Sequence, residues 1–552
     1  MVFDTDMDES TINSSSFMVN ARSTGLHQGT FSYDDQTYTV TLDPNEDFEV
    51  GEVVTVVLTT GIESSGGTPL DGNYAWSFTV TVLDGTGTFA PYSGYDAGDG
   101  SCSVFAADLD GDGDLDLATS NAMSDDVSIL LNNGDAIFAT HSEYPAGDCP
   151  RRISAADLDS DGDIDLATAN FLSDNVSVLL NNGNATFADH VDYSAGDEPY
   201  FIFAADLDGD GDIDLLTANQ NSDNVSVLLN NGDAAFAARV NYPVGDEPYS
   251  VFAADLDADG DIDLATSNRY SDDVSVLLNN GDGTFAAKVD YIVGEGPKSV
   301  FAADLDADGD VDLVITNKDS VEKDSLDLAT ADEESADPAT ANKNTDNISV
   351  LLNEGDGTFA EHVDYPVTEG LAPRTVSTAD LDADGDLDLA VISLDGIDYI
   401  SVLLNNGDAT FGLPSDYLMG NLSVSVFAAD LDSDGDIDLV TANPSPDEVS
   451  VFLNGIPPYE PSNPDPYHTE TDVDIDHDLF WTGGDPDPGD TVTYDIYFGV
   501  SSSPPQVETD WPTESYDPGT LNYETTHYWK IVSREQPRRH NRGAGMVFHN
   551  SV

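Results

Sequence analysis

The sequence predicts an all-β protein: a seven-bladed β-propeller with β-sandwich domains on both sides. Three observations predict it. An acidic string, Ala-Asp-Leu-Asp-x-Asp-Gly-Asp-h-Asp-Leu with h aliphatic, occurs seven times at near-constant spacing. The residues between copies carry β-type patterning and no sustained helical period. The repeat region opens with a piece of a unit and closes with a unit lacking that piece.

The first Asp of the string falls at Asp108, Asp157, Asp206, Asp255, Asp304, Asp380 and Asp430, so four steps are 49 residues and the last two are 76 and 50. That period exceeds most helical repeats and suits one propeller blade. In the unit from Ser250, Ser250–Ala254 reads as a first strand and Leu264–Asn268 as a second. Val274–Leu278 reads as a third. Asn279-Asn280-Gly281-Asp282-Gly283 is a tight-turn signal, because Asn-Gly and Asp-Gly accept positive φ. A fourth strand is expected from Thr284-Phe285 towards Val289-Asp290-Tyr291.

Gly87-Thr88-Phe89-Ala90-Pro91-Tyr92 is a fourth-strand sequence without its first three, and the seventh unit stops at Ile456-Pro457-Pro458 without a fourth. The strand near 86–95 is therefore expected to complete the blade built by 424–455, which closes the ring and removes its edges. The 76-residue step comes from one insertion. From the last Asp of the string to the third strand is 11 residues in unit three (Asp214 to Val225) and 36 in unit five (Asp312 to Ile348). The extra stretch, about 318–343, is rich in Asp, Glu, Ala, Ser and Thr and reads as a solvated loop.

The 552 residues carry 16 Lys plus Arg against 107 Asp plus Glu, a formal net charge of −91. That excludes ordinary nucleic-acid binding, which needs cations to replace phosphate counterions, and docking on anionic lipid. Yet 39% of residues are hydrophobic, with 23 Phe and 22 Tyr, enough to build cores once the carboxylates are offset. No run approaches 18 apolar residues, so no membrane span is expected. The start, Met1-Val2-Phe3-Asp4-Thr5-Asp6, lacks the basic and apolar regions of a signal peptide. Cys102 and Cys149 are too few for a disulfide scaffold; a single bridge and two free thiols both remain open.

The acidic string has the chemistry of a cation site. Counted from its first Asp, unit one offers Asp108 at position 1, Asp110 at 3, Asp112 at 5, Gly113 at 6 and Asp116 at 9. Alternate carboxylates in a tight loop converge, and an oxygen-only set suits calcium rather than zinc, copper or magnesium. The same positions give Asp157, Asp159, Asp161 and Asp165, then Asp206, Asp208, Asp210 and Asp214, then Asp255, Asp257, Asp259 and Asp263. They continue as Asp304, Asp306, Asp308 and Asp312, as Asp380, Asp382, Asp384 and Asp388, and as Asp430, Asp432, Asp434 and Asp438. The loop is not an EF-hand. That motif wants Glu at position 12, where these turns carry Thr, Ile or Val, and its flanks are helices. One such loop could be a solvated turn; seven copies make about seven calcium ions, one per blade, the expectation. Carboxylates clustered within about 5 Å repel unless a cation is present, so metal binding becomes folding free energy.

At these residues, across about 84–456, the sequence resembles the FG-GAP/VCBS repeat family, the repeat type of the integrin α-chain propeller. The resemblance implies calcium on one face, with side-chain ligands at positions 1, 3, 5 and 9. It also implies carbonyl ligands from Asp114, Asp163, Asp212, Asp261, Asp310, Asp386 and Asp436. There is no Arg-Gly-Asp and no inserted adhesion domain, so an integrin-like ligand does not carry over.

Residues 1–83 alternate like a sandwich in Thr39–Pro44, Val53–Leu58 and Trp76–Val80. With Met7-Asp8, Thr11-Ile12, Gly61-Ile62 and Trp76-Ser77-Phe78 they resemble the bacterial Ig-like domain of S-layer and cell-wall proteins. Residues 457–466 read as a stiff Pro-rich linker. Residues 467–552, with Leu479-Phe480-Trp481, Val492–Phe498 and Thr525–Ile531, resemble a fibronectin type III-like sandwich whose last strand is missing. Lys530, Arg534, Arg538, Arg539 and Arg542 form a basic tail. The chain reads as an internal piece of a longer exported protein.

No His-Glu-x-x-His, Gly-x-Ser-x-Gly, phosphate loop or Cys-x-x-Cys is present, so no catalytic residue is assigned. His190 and His362 read as surface residues, and the sequons at Asn175, Asn184, Asn224 and Asn347 as repeat echoes. The expected function is a calcium-binding extracellular adhesion or matrix module, not an enzyme, that binds protein or carbohydrate through loops opposite the metal turns. The alternatives are a lyase-like polysaccharide enzyme and a passive spacer. Arg151, Arg152, Arg239, Arg269 and Arg374 are the only blade arginines, which weighs against the enzyme.

Overall fold

In the computed structural model every regular element among the described residues is a strand except a 3-10 turn at Glu9–Thr11. The structure describes Phe3 to Ser551 except residues 4, 15, 22–24, 46–47, 49–52, 71–73, 81–86, 135, 319–346, 368–371, 395–397, 420–421, 456–460, 467–472, 474, 484–490, 502–503, 523–524 and 537–547. The insertion expected at 318–343 therefore lies outside the described residues, apart from Lys318.

The repeats form seven four-stranded antiparallel sheets. In the fourth, Pro248–Ala254 is the inner strand, followed by Asp263–Asn268, Asp273–Leu277 and the outer Val289–Ile292. The outer strand starts later than the sequence suggested. Phe285 instead closes the Asn-Asn-Gly loop through an isolated bridge to Asn279. Middle strands such as Asp263–Asn268 are buried at every residue, because each sheet is covered on both faces by its neighbours. One core cluster, for example, joins Ala167, Val176 and Val178 of the second sheet to Ile202, Leu215 and Phe236 of the third.

The two ends of the repeat region share a sheet. Ser93–Asp96 pairs with Glu448–Phe452, and Phe89 bridges to Asn454. Val440, Val449 and Val451 of this seventh sheet share a core cluster with Leu117 and Val127 of the first. Two further links recur around all seven junctions. Each outer-strand tyrosine meets a phenylalanine of the next unit edge-on, from Tyr95–Phe138 at 5.2 Å to Tyr417–Phe89 at 5.3 Å. Its hydroxyl donates to a backbone carbonyl there, as Tyr193 does to Ala234 at 2.7 Å. Such aromatic pairs are worth about 0.5–1.5 kcal/mol each beyond their buried area.

Phenylalanines also recur in the inner strands. Phe203, Phe252 and Phe301 stack in series at 4.7 and 4.6 Å, and Phe427 meets Phe105 at 4.6 Å.

The N-terminal unit has one sheet in the order Gly25–Leu26, Phe17–Ala21, Val53–Leu58, Tyr74–Thr79 and a hairpin of Gly29–Asp34 with Thr39–Pro44. Val19, Val40, Val54, Val56 and Ile62 fill its core. The C-terminal unit has a three-stranded and a four-stranded sheet around Trp481, Tyr494, Ile496, Trp529 and Ile531. Two sequence expectations change there. Ser462–Asp465, placed in the linker, forms a strand paired with Leu479–Thr482; it lies at the sheet edge, where a proline costs no ladder bond. The missing last strand is present as Phe548–Ser551, paired with Thr526–Trp529. Most of the basic tail, 537–547, lies outside the described residues.

Candidate metal centres

Each acidic turn joins the inner strand to the second strand of its sheet, so all seven lie at the same end of the inner strands. The first Asp organises the loop. Its carboxylate accepts from the backbone N–H of the position-6 Gly, at 3.0 Å in Asp157–Gly162 and 3.0 Å in Asp430–Gly435. That Gly holds φ between 93 and 99° in all seven turns, a left-handed conformation that side chains rarely adopt. A Cβ on Gly113, Gly162, Gly309 or Gly385 would meet nothing within 4 Å, so conformation rather than space requires glycine.

The carboxylates gather in triads of two kinds. Seven groups of metal-competent side chains have ligand atoms within 4.8 Å of one another. In turns one and two the groups are Asp108, Asp110, Asp116 and Asp157, Asp159, Asp165. In turns three to five positions 1, 3 and 5 gather instead: Asp206, Asp208, Asp210; Asp255, Asp257, Asp259; and Asp304, Asp306, Asp308. Position 9 has a further role. It opens the second strand, is buried, and its two oxygens accept from backbone N–H groups: Asp116 from Leu109 at 3.1 Å and from Asn132 at 2.8 Å. Asp165, Asp214, Asp263, Asp312, Asp388 and Asp438 repeat both bonds.

A cation fits these clusters. Oδ1 of the position-3 residues Asp110, Asp159, Asp257 and Asp382 is buried with no hydrogen-bond partner, as is Oδ1 of Asp255 and Asp304 at position 1. An unpaired buried carboxylate oxygen is costly, and a hard cation is the ligand that would satisfy it. Burial pushes the position-9 carboxyls up, to about 7 in Asp116, Asp263 and Asp388 and to about 8 in Asp165 and Asp214. Asp208 and Asp257 rise to about 6, through burial and then the neighbouring Asp210 and Asp259. The seventh turn differs. Position 5 is exposed in the other six, whereas Asp430, Asp432, Asp434 and Asp438 are all buried.

One structural residue escaped the sequence reading. The first Asn after the third strand, read only as a turn former, donates to the position-2 carbonyl of the preceding unit. Asn181 reaches Leu109 at 2.8 Å and Asn279 reaches Leu207 at 2.7 Å. The signal was its fixed place 16 residues after Asp116, Asp165, Asp214, Asp263 and Asp438. Cys102 and Cys149 are buried free thiols, and burial pushes the Cys149 thiol up. His190 and His362 lie 3.6 Å from Asp192 and 3.5 Å from Asp364. Asn347 is buried and Asn175 and Asn224 are half-buried, while Asn184 is exposed.

These features define an all-β repeat protein of propeller type with an acidic turn in every blade. Residues 157–217, 206–266, 263–315, 326–391 and 380–441 match the FG-GAP-like repeat family, and residues 1–80 match the bacterial Ig-like domain. The chain is an FG-GAP-like repeat protein with a bacterial Ig-like domain ahead of the repeats. No curated protein matches it. Similar solved structures include an Agrocybe aegerita lectin that recognises non-reducing terminal N-acetylglucosamine (19% identity, TM-score 0.38, covering 80% of this chain and 99% of the lectin). Another is BBS1N in complex with ARL6DN (13%, 0.43, 68% and 98%). A third is the extracellular domain of the hybrid two-component system BT4673 from B. thetaiotaomicron (9%, 0.43, 96% and 72%). Among the described residues no helix is long and apolar enough to cross a membrane.

Proposed function

We propose that this chain is a calcium-stabilised extracellular binding module, with calcium held in the acidic turns and a protein or carbohydrate ligand taken by the opposite face of the repeats. The observation that carries the reading is the repeated carboxylate cluster with buried oxygens that lack donors. Positions 1, 3 and 5 would hold the ion in turns three to five, and positions 1, 3 and 9 in the first two. Bound calcium supplies the positive charge against which the clustered carboxylates stay ionised. The remaining work falls to the chain itself: Asp at position 1 shapes the loop, and Asp at position 9 ties it to the end of the third strand. FG-GAP-like repeats and bacterial Ig-like domains are typical of extracellular proteins, where calcium is plentiful. We read the module as binding without turnover.

The test is calorimetric titration of chelator-stripped chain with calcium, followed by melting. Uptake near seven equivalents and a higher melting temperature are expected. No uptake, or an unchanged melt, defeats the reading. Incubation with a panel of polysaccharides is expected to yield no cleavage products.

A further inference from the structure

Near the start of six inner strands the register against the second strand slips by one residue. The residues extruded are Cys102, Arg151, Tyr200, Tyr249, Lys298 and Arg374. Bulges re-aim side chains and are frequent beside binding sites. Because the inner strands end in the acidic turns, these bulges lie towards the opposite face.

They converge on the axis of the ring. Tyr200 and Tyr249 have ring centroids 4.0 Å apart and share a hydroxyl hydrogen bond of 2.5 Å. Lys298 Nζ lies 5.0 Å from the Tyr249 ring, and the Arg151 guanidinium 6.0 Å from that of Tyr200. Arg152, beside the bulge of the second sheet, donates to the carbonyls of Cys102 in the first and Val424 at the start of the seventh. Tyr249 of the fourth sheet feels the charges of both Arg152 in the second and Arg374 in the sixth. Second, fourth and sixth blades of one ring approach one another only at its centre.

The charge there is anomalous. Arg151, Arg152, Lys298 and Arg374 are four of the 16 cations in a chain with 107 acidic residues. Among the described residues none of the four has a carboxylate within 4.0 Å, whereas neighbouring Arg269 has Glu247 at 3.3 Å. The Nε atoms of Arg151, Arg152 and Arg374 are buried with no hydrogen-bond partner. Lys298 is buried, and burial with the nearby Arg374 and Arg269 pulls its amine down to about 7 against the weaker opposing pull of Glu247. Only Lys298 is fully buried; the three arginines are half-buried, and cations held apart from carboxylates in so acidic a chain mark a candidate functional site.

We propose that this axial cluster binds one carboxylate group of a small ring-bearing ligand. Guanidinium forks match the planar carboxylate, and the packed tyrosine pair supplies apolar surface beside them for a ring. A net charge of −91 disfavours a polyanion, so the ligand is singly charged. The inference rests on the ligand-binding half of the function proposed above, naming its place and ligand class, and not on calcium.

The test titrates the full calcium-loaded chain with benzoate and with glucuronate, and with uncharged benzamide and glucose, by calorimetry. One site per chain is expected for at least one carboxylate and none for the uncharged pair. The tighter of the two assigns an aromatic or a sugar ring. Arg374→Gln is expected to weaken binding at least about tenfold, the loss of a charge-assisted hydrogen bond. Lys298→Met serves as a second variant should Arg374→Gln fail to fold. Arg239→Gln, beside the outer strand Val240–Pro243, is expected to leave affinity unchanged. Binding of neither carboxylate, equal binding of the uncharged analogues, or full affinity in the folded variants overturns the proposal. Calcium titrated into a separate stripped sample reports on the metal reading independently.

Discussion

Asn132 Nδ2 donates to the backbone carbonyl of Leu431, 299 residues away, at 2.7 Å. The same side chain donates to the Leu115 carbonyl at 3.0 Å, so one amide joins the first acidic turn to the seventh. At the other end Asn454 reaches Leu381 at 2.7 Å, continuing the series. Asn132→Ala leaves two buried carbonyls short of a donor and is expected to cost about 1–3 kcal/mol in urea unfolding of the calcium-loaded chain. Asn279→Ala, in mid-ring, is expected to cost the same. A parental midpoint for Asn132→Ala alone would mean that the first and seventh blades do not stay joined in solution.

Chelation should proceed in two phases. Six turns expose position 5, while Asp434 is buried with its neighbours. Mixing calcium-loaded chain with excess chelator and a calcium-sensitive dye is expected to show a fast phase several times larger than a slow one. A single phase would place the seventh turn on a par with the rest.

Calcium affinity should rise with pH between 6 and 8. Without metal, Asp116, Asp263 and Asp388 keep their protons up to about pH 7 and Asp165 and Asp214 up to about 8, because burial favours the neutral acid. A cation favours the ionised form, so uptake releases protons and competes with them. Calcium added at pH 7 in weak buffer is expected to acidify the solution. An unchanged pH would show that position 9 does not sense the ion.

Lys298 supplies a stability prediction of opposite origin. Its amine titrates at about 7 in the folded chain against 10.5 ordinarily. Between those values the unfolded chain binds a proton that the folded chain refuses, so stability falls as pH drops from 10.5 towards 7. Lys298→Met removes that penalty. Its melting temperature at pH 7.5 is expected to exceed the parent's by several degrees, the gap narrowing as pH approaches 10.5. A lower melt at pH 7.5 would mean that the ammonium has a partner.

The repeat, the sheet count and the shared seventh sheet were legible because a 49-residue period writes each structural role seven times over. Position 9 was legible as an acid but not as a tie, since its hydrogen bonds run to an amide across the sheet. Asn279 and its counterparts were read through the Gly that follows, and short-range turn chemistry hid a bond to another blade. The axial arginines were visible singly, and their small number was weighed only against an enzyme. Only ring geometry, which turns position 2 or 3 of six inner strands towards the axis, makes them a group. The edge strands Ser462–Asp465 and Phe548–Ser551 lacked alternation of their own, because pairing with a partner strand defines them.

The inner-strand phenylalanines have an electrical consequence. Phe105, Phe203, Phe252, Phe301 and Phe427 lie on five inner strands, between the acidic turns at one end of the ring and the axial cluster, which Tyr200, Tyr249 and Lys298 of these strands share with arginines of other blades, at the other. A hydrocarbon layer there holds little water and polarises weakly. It screens the attraction between the two ends poorly but holds them out of contact, so filling either end with an outside ion is felt electrically at the other.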